Sequence, residues 1–212
     1  NRTGASATGC EVDLPAEPHW VEHTLHTLHY MGRDRDVVYI NSANFFVEKR
    51  AFDAIDGFRE DLRTGEDADI GQRLIVAGFR IHESPDVQAI HYGNPKSVGE
   101  YYRRVVWHGL GMFATVTRHR LDRPTAMVLV HLAFTIAGVA WLIAGAGSLI
   151  ERALILVALQ LVVPATTVAF RMRQTRRRVN LPRALYLYWL YYWARLQAVG
   201  LIVTGRGRRF SK

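Results

Sequence analysis

The sequence predicts an α/β region followed by a pair of apolar helices and a basic C-terminal region. Three observations lead to this fold class. Short β-branched or aromatic runs alternate with helical segments over residues 1–125. The stretch 126–150 contains no charged residue. The basic excess behind the net charge of +8 lies in residues 171–212, which carry 11 basic side chains and no acidic one.

The elements of the first 125 residues follow from their residue patterns. Residues 1–18 are small, polar and turn-rich, without periodicity. Residues 20–31 are predicted to form a helix whose histidines, spaced by three, indicate a polar face rather than a metal site. The remaining predicted elements are strands at 37–40, 79–81 and 87–91 and helices at 48–55, 66–77 and 97–121, the last of them amphipathic. In the helix 66–77, Ile70 and Leu74 share one face, and Gly78 marks the end.

Two apolar stretches, at 126–144 and 149–170, are long enough to cross a bilayer core, which takes about 20 helical residues. A Gly-Ala-Gly-Ser turn separates them, and membrane helices tolerate the Pro164 of the second stretch. His131 in the first stretch is interpreted as a helix-contact residue. A buried hairpin of a soluble protein is the alternative, but neither stretch has a polar face for water.

The basic loop at 171–183 predicts the orientation of these segments. It carries six arginines, and positively charged loops stay on the cytoplasmic side of a membrane. Two spans then return the N-terminal region to the cytoplasm, which predicts a multi-pass protein of the inner (plasma) membrane. Residues 184–212 combine an aromatic segment with a basic tail, and Arg195 interrupts its apolar part at 184–203. This segment is either an interfacial helix or a third membrane helix.

Composition also excludes several classes. The single cysteine, Cys10, rules out an internal disulfide framework and a cysteine-rich zinc site. A positive net charge is typical of nucleic-acid binders, but residues 1–125 hold 15 basic and 18 acidic side chains. The basic residues instead flank apolar segments, so no nucleic-acid partner is expected.

The residues that point to chemistry stand at the start of the predicted helix 66–77. Glu66 and Asp67 are adjacent acids, and Asp69 follows two residues later. A helix N-terminus stabilises negative charge, so these carboxylates are expected to be ionised at neutral pH. An ionised carboxylate in a cleft can accept a proton from a hydroxyl nucleophile. Acids that only cap a helix are the alternative explanation of this pattern taken alone.

The order of motifs over residues 1–125 resembles the acceptor-side half of the family 2 glycosyltransferases, which have the GT-A fold. The motifs are, in chain order, Asn44-x-x-Val47, Gly57-Phe58, Gly65-Glu66-Asp67, Arg73-Leu74, Gly78 with Arg80-Ile81, Pro85 with Ile90-His91, and Tyr102-Arg-Arg-Val-Val-Trp107-His108-Gly109. Each motif is short, and the specificity lies in their common order and spacing. The resemblance implies the acceptor-side half of a GT-A-like domain in front of the membrane helices.

The resemblance also implies a role for the polar residues in these motifs. Asp67 would be the general base that deprotonates an acceptor hydroxyl, with inversion at the anomeric carbon of a nucleotide-sugar. Glu66 would act beside it in the catalytic site, by orienting the loop or contacting the acceptor. The residues expected to bind substrate are Asp69, Asn44, Arg103, Arg104, Trp107 and His108. His91 would approach the metal ion or the diphosphate, and a structural histidine at the end of a strand is the alternative.

Two departures from the family pattern refine these expectations. Processive synthases of the family carry Gln-x-x-Arg-Trp, whereas Arg103 and Val106 occupy the first and fourth positions here, which disfavours long-polymer synthesis. The donor-binding half, with an Asp-x-Asp motif that holds Mg²⁺ or Mn²⁺, is missing, because neither Asp-x-Asp string (34–36 or 67–69) follows an apolar strand. The sequence is therefore interpreted as the C-terminal part of a longer enzyme that uses a divalent metal. These residues alone are expected to be inactive.

The predicted function is the transfer of a sugar from a nucleotide-sugar donor to a hydroxyl of a saccharide or lipid-linked acceptor. The predicted process is cell-envelope or exopolysaccharide synthesis. The basic loop suits an anionic lipid-linked acceptor or anionic lipids. A non-catalytic, membrane-anchored α/β module that binds a partner is the alternative, and replacement of Asp67 separates the two because only an enzyme would lose turnover.

Overall fold

The computed structural model describes residues 3–32, 34–62, 64–111 and 123–209. The chain divides into two compact units, residues 1–94 and 95–212, and each is described by itself. The sequence analysis places residues 97–121 in the first domain, whereas the structure groups the helix that begins there with the C-terminal helices.

The first unit is built on a mixed four-stranded sheet with the strand order β2-β4-β1-β3. The strands are β1 (Ala7–Gly9), β2 (Arg35–Asp36), β3 (Phe45–Val47) and β4 (Ile81–Glu83), and the helices are α1 (Trp20–His29), α2 (Lys49–Asp53) and α3 (Glu66–Val76). Strand β1 runs parallel to β4 and antiparallel to β3, and β2 runs antiparallel to β4. In register, Ala7 lies between Val47 and Ile81.

The core of this unit lies between the sheet and helix α3. Ile70 and Leu74, which are four residues apart on one face of α3, are buried, as the sequence predicts. They pack with Ile81 and Ala7 of the sheet and with Ala51 of α2. Each buried aliphatic side chain of this size contributes about 1.5–3 kcal/mol. This packing fixes the position of α3, and with it the acidic residues of its first turn.

The central strand β1 lies in the segment for which the sequence shows no periodicity. Its residues are small because the chain passes very close to its neighbours. A Cβ atom on Gly9 would lie 2.0 Å from the carbonyl oxygen of Asn44. Ala7 and Cys10 are buried, yet neither produces a strong hydropathy signal. A strand made of small residues is therefore invisible to a pattern search based on large apolar side chains.

The predicted strand at 37–40 is wrong. The strand is β2, two residues earlier. There the carboxylate of Asp36 bonds His82 of β4 and Arg80, the residue just before β4. Beyond Val37 the chain leaves the sheet, and Tyr39 lies over Gly71 of helix α3, whose missing side chain makes room for it. Cross-strand polar bonds and this close packing outweigh the β-branched pattern of residues 37–40.

Other predicted elements shift or shorten. The strand predicted at 79–81 begins and ends two residues later, at Ile81–Glu83. The strand predicted at 87–91 is only an isolated bridge between Asp13 and Ile90. The helices predicted at 20–31, 48–55 and 66–77 are present but end earlier, at His29, Asp53 and Val76.

The second unit contains four helices among the described residues. They are α4 (Val98–Gly109), α5 (Arg123–Ala144), α6 (Leu149–Thr175) and α7 (Leu181–Val203), followed by a short 3-10 turn at Arg206–Arg209. The helix predicted at 97–121 corresponds to α4 up to Gly109, and its residues 112–121 lie outside the described residues. Helix α6 runs to Thr175, so the first arginines of the predicted loop 171–183 belong to its last turn.

The turn between α5 and α6 is closed by specific bonds. Ser148 and Glu151 form a reciprocal capping box at the start of α6. The guanidinium of Arg152 donates to the carbonyl oxygens of Leu142 and Ile143 at the end of α5. Two of the carbonyl groups at the end of α5, which have no partner within the helix, are thereby bonded.

Among the described residues, α5 and α6 are long and apolar enough to cross a membrane. Of the most apolar 18-residue stretch of each helix, only 17% is buried in α5 and 22% in α6. The core helices of a soluble protein are mostly buried, so α5 and α6 differ from them. Helix α7 packs on both, since the Tyr192 ring lies 5.1 Å from the His131 ring of α5, centre to centre, and the Tyr192 hydroxyl bonds Thr167 of α6. His131 thus lies in a helix contact.

Candidate active site

The first turn of helix α3 carries the acids that the sequence singles out. Gly65 precedes the helix with φ +81°, a left-handed conformation that favours glycine over any residue with a side chain. The chain therefore turns sharply into α3 and places Glu66, Asp67 and Asp69 in its first turn. All three side chains are half-buried.

The Asp67 carboxylate is held by backbone groups. The backbone N–H of Ala68 donates to its Oδ1 at 2.8 Å, and the backbone N–H of Ser42 also bonds it. The Ser42 hydroxyl donates to Glu66 Oε1 at 3.4 Å, so the turn Ser42–Asn44 contacts both acids. Sequence analysis missed Ser42; its only signal is its place in the Asn-Ser-Ala-Asn segment just before β3.

The electrostatic environment of Asp67 is set chiefly by burial. Burial raises the pKa of the Asp67 carboxyl above its ordinary value, and the negative charge of Glu66 acts in the same direction. The backbone N–H groups of Ala68 and Ser42 act the other way without cancelling the rise. The direction is opposite to that expected from a helix N-terminus alone, because desolvation of the carboxylate dominates.

Asp69 is engaged with two arginines. Its carboxylate accepts from Arg73 at 2.8 Å and lies 3.7 Å from Arg59. Arg73 also donates to the carbonyl oxygen of Ile55, and Arg59 forms a two-point pair with Asp61. Asp69 thereby links α3 to the loop that precedes it.

Asn44 and His91 are both held by hydrogen bonds. Asn44 is buried, and its Nδ2 donates to the carbonyl oxygen of Val87 at 2.8 Å. Its amide therefore holds the chain between β4 and His91. The Nδ1 atom of His91 is 3.0 Å from Asn94 Oδ1, and the Asn94 amide bonds back to the His91 carbonyl oxygen. His91 closes a local turn in this structure.

A metal site is not formed by these side chains. In the described ranges, no group of three or more His, Cys, Asp and Glu side chains is placed to hold a metal ion. His91 in particular has Asn94 as its ring partner. The donor set around His91 therefore does not fit a divalent metal.

The other expected substrate-binding residues lie on helix α4 of the second unit. Arg103 and His108 are exposed, and Arg104 and Trp107 are half-buried. The rings of Trp107 and His108 meet edge to face, with their centroids 4.9 Å apart. These four residues belong to one unit and Asp67 to the other, so each group is described within its own unit.

Helix α4 is seated closely on helix α7. A Cβ atom on Gly109 would lie 2.5 Å from the Cβ of Ala198, so only glycine permits this approach. Tyr101 is buried, and Arg195 lies over the Tyr191 ring at 5.1 Å. Arg195, which looks like an interruption of an apolar segment in the sequence, contacts α4 and an aromatic ring.

The comparison with protein families decides what the chain is. The model described as "Glycosyl transferase family group 2" matches residues 19–204. The chain belongs to this glycosyl transferase family. No curated protein and no solved structure gives a significant match.

The family match confirms the resemblance drawn from the sequence motifs, and the chain is a glycosyltransferase. The match covers both units, so helices α4 to α7 belong to the family region as much as the sheet does. A glycosyltransferase of this family takes a sugar donor and an acceptor as substrates. Enzymes of the family often use a divalent metal, but the described part of this chain contains no site for one.

Proposed function

We propose that the chain is the acceptor-side part of a membrane-bound, inverting glycosyltransferase with a GT-A-like α/β unit and Asp67 as its general base. The observation that carries the proposal is the placement of Asp67, which is half-buried, held by two backbone N–H groups and adjacent to Glu66. Its raised pKa makes it a better proton acceptor than a fully solvated aspartate, because the pKa is closer to the working pH.

In the proposed reaction, an acceptor hydroxyl gives its proton to Asp67 while its oxygen attacks the anomeric carbon of the nucleotide-sugar. The bond between that carbon and the diphosphate oxygen breaks, and the nucleoside diphosphate leaves with the electron pair. Attack and departure occur on opposite faces of the sugar, so the configuration at the anomeric carbon inverts. Nothing else is transferred to the protein.

The neighbouring residues support this base. Glu66 holds a second negative charge beside Asp67 and keeps the proton affinity of Asp67 high. Asp69 fixes the first turn of α3 through Arg73 and Arg59. We assign the diphosphate to Arg103 and Arg104, since guanidinium groups bind phosphate oxygens at two points. We assign the sugar to Trp107 and His108, whose rings offer apolar faces.

In the whole enzyme, a divalent metal would neutralise the negative charge of the leaving diphosphate. The described residues do not form its site, so no residue of this chain is assigned to it and no step depends on it.

The proposed location is the inner (plasma) membrane. Helices α5 and α6 would cross it as a hairpin, and the arginines beyond Thr175 would keep the catalytic unit on the cytoplasmic side. The proposed substrates are a nucleotide-sugar and a saccharide or lipid-linked acceptor, in cell-envelope or exopolysaccharide synthesis. Arg103 and Val106 depart from the motif of the processive synthases, which favours one or few additions.

The stereochemistry of the product tests the proposal. The intact protein is incubated with nucleotide-sugars of known anomeric configuration and membrane extracts, and the product is read by the anomeric proton coupling in NMR. Direct attack assisted by a base predicts inversion. Retention would exclude direct in-line attack and would contradict the role of Asp67. No transfer with any donor would favour the binding-module alternative.

The pH profile is a second prediction. Asp67 must be unprotonated to act, so kcat/KM should fall about tenfold per pH unit below the pKa of Asp67. Because burial raises that pKa, the fall should begin at a higher pH than the ordinary aspartate pKa of 3.8 implies. Initial rates at constant ionic strength measure this, with circular dichroism at each pH to show that the fold persists. A profile that stays flat down to pH 3.8 would exclude the assignment.

A further inference from the structure

The turn between helices α6 and α7 concentrates positive charge at the end of an apolar helix. Helix α6 ends at Thr175 and α7 begins at Leu181. We use the name arginine turn for the six arginines in and around this turn, namely Arg171, Arg173, Arg176, Arg177, Arg178 and Arg183. All but Arg171 are exposed.

Three arginines of the arginine turn have no carboxylate partner among the described residues. No aspartate or glutamate occurs anywhere after residue 170. In the described part of the chain, Arg173, Arg176 and Arg178 form no ion pair with a carboxylate. Positive charges packed this closely repel each other unless an anion lies between them.

Side chains that cap the two helices close the backbone of the turn. Arg176 ends helix α6 in the left-handed region, at φ 55°. The backbone N–H of Arg177 donates to the Thr175 hydroxyl at 3.4 Å, and that of Arg183 donates to Asn180 Oδ1 at 3.1 Å. Thr175 and Asn180 thereby satisfy backbone groups at the two helix ends that meet in the turn.

The arginine turn is flanked by exposed apolar and aromatic side chains. On one side lies α6, whose apolar side chains are largely exposed. On the other side lies the start of α7, where Leu181 is 51% and Tyr186 is 45% exposed. Exposed aromatic rings next to arginines, at the end of an apolar helix, match the headgroup level of a bilayer. A nucleic-acid surface would instead need polar flanks.

We propose that the arginine turn binds the phosphate headgroups of anionic phospholipids at the membrane surface. Guanidinium groups suit this ligand because each can donate two parallel hydrogen bonds to phosphate oxygens. The interaction anchors α7, and with it α4, at the level of the headgroups. It is independent of the assignment of Asp67, since it involves the other unit of the chain.

The test compares lipid binding by the whole chain, purified in a neutral detergent, with that of a triple variant. The variant is Arg173→Gln, Arg176→Asn and Arg178→Gln, with asparagine at 176 because it tolerates a left-handed backbone. Native mass spectrometry counts phosphatidylglycerol and phosphatidylcholine bound from equal mixtures. The wild-type chain should prefer phosphatidylglycerol, and the variant should lose that preference by about fivefold per arginine, on the order of a hundredfold in all.

A matched control removes the same charge from the other unit, by Arg35→Gln, Lys49→Gln and Arg50→Gln, all at exposed positions. It should keep the preference for phosphatidylglycerol. Equal loss in both triple variants, or no loss in the first, would overturn the proposal. A short single-stranded oligonucleotide is the third probe, and tighter binding of it than of phosphatidylglycerol would also overturn the proposal.

The wild-type chain gives a second measurement that needs no variant. Headgroup binding by exposed arginines weakens with salt, because the charges are screened. The preference for phosphatidylglycerol should therefore decline steadily as sodium chloride is raised. A preference that does not change with salt would contradict a site made of exposed guanidinium groups.

Discussion

Replacement of Asp67 by Asn in the intact protein should lower kcat by about 10²–10⁴-fold, the usual contribution of a general base. Asparagine keeps the shape of the side chain and can still accept the bond from the Ala68 N–H, but it cannot take a proton. The rate of sugar transfer from a radiolabelled nucleotide-sugar, together with acceptor binding, measures the effect. Binding should change little, because the loss is confined to the transition state.

The same variant should be at least as stable as the wild type at neutral pH. Burial raises the pKa of Asp67 in the folded state above its unfolded value. Protonation of Asp67 therefore stabilises the fold at low pH, and this stabilisation is lost as the pH rises through the folded-state pKa. Asparagine stays neutral and avoids that loss. A thermal unfolding curve at neutral pH therefore separates a catalytic defect from misfolding.

Asp53→Asn is the matched control for this variant. Asp53 is exposed and pairs only with Lys49 one helical turn away among the described residues, in α2 of the same unit. Exposed pairs of this kind contribute about 0–1 kcal/mol, so turnover should be nearly unchanged. Full activity of the Asp67→Asn protein would remove Asp67 from the mechanism and favour a carboxylate that only caps helix α3.

Replacement of Gly9 by Ala should destabilise the N-terminal unit by about 3 kcal/mol. The added methyl group would lie 2.0 Å from the Asn44 carbonyl oxygen and 2.9 Å from Ile40 Cγ2. The first of these atoms is backbone and cannot rotate away. Relief requires movement of the turn Ser42–Asn44, whose Ser42 contacts Glu66 and Asp67, so kcat/KM should fall as well.

Hydrogen exchange of the β1 and β3 amides, read by mass spectrometry, measures this local stability. Thr8→Ser is the control, because Thr8 is the next residue of β1 and its hydroxyl bond to the His82 carbonyl oxygen survives the change. The loss of one partly buried methyl group costs less than about 1 kcal/mol. If the β1 and β3 amides exchange equally fast in both variants, the close approach of β1 to Asn44 does not limit the stability of this unit and the prediction fails.

Helix α3 shows what local pattern can predict. Its acidic first turn, the buried pair Ile70 and Leu74, and Gly78 with φ +84° just after its end all follow from spacing and backbone preference. The order of short motifs was also sufficient to identify the family, and the match over residues 19–204 confirms that identification. Both are properties of residues close together in the chain.

The strands show where prediction from the local sequence pattern fails. Strand β1 consists of small residues because Gly9 passes against Asn44, and β2 forms where Asp36 meets Arg80, 44 residues away. In both cases the residue that imposes the constraint is distant in the sequence, so the sequence of the strand itself does not show it. The apolar run at 37–40 therefore predicts a strand that the structure does not contain.

By itself, the sequence determined the family, the acids at the start of α3 and the position of the apolar and basic segments, because these depend on residue type and short spacing. The tertiary structure decided the surroundings of each side chain. Asn44 bonds Val87 across 43 residues, His91 turns back on Asn94, and Asp69 joins Arg59 and Arg73. Burial raises the pKa of Asp67 even though a helix N-terminus favours its charge, because desolvation depends on every group that folding brings around it.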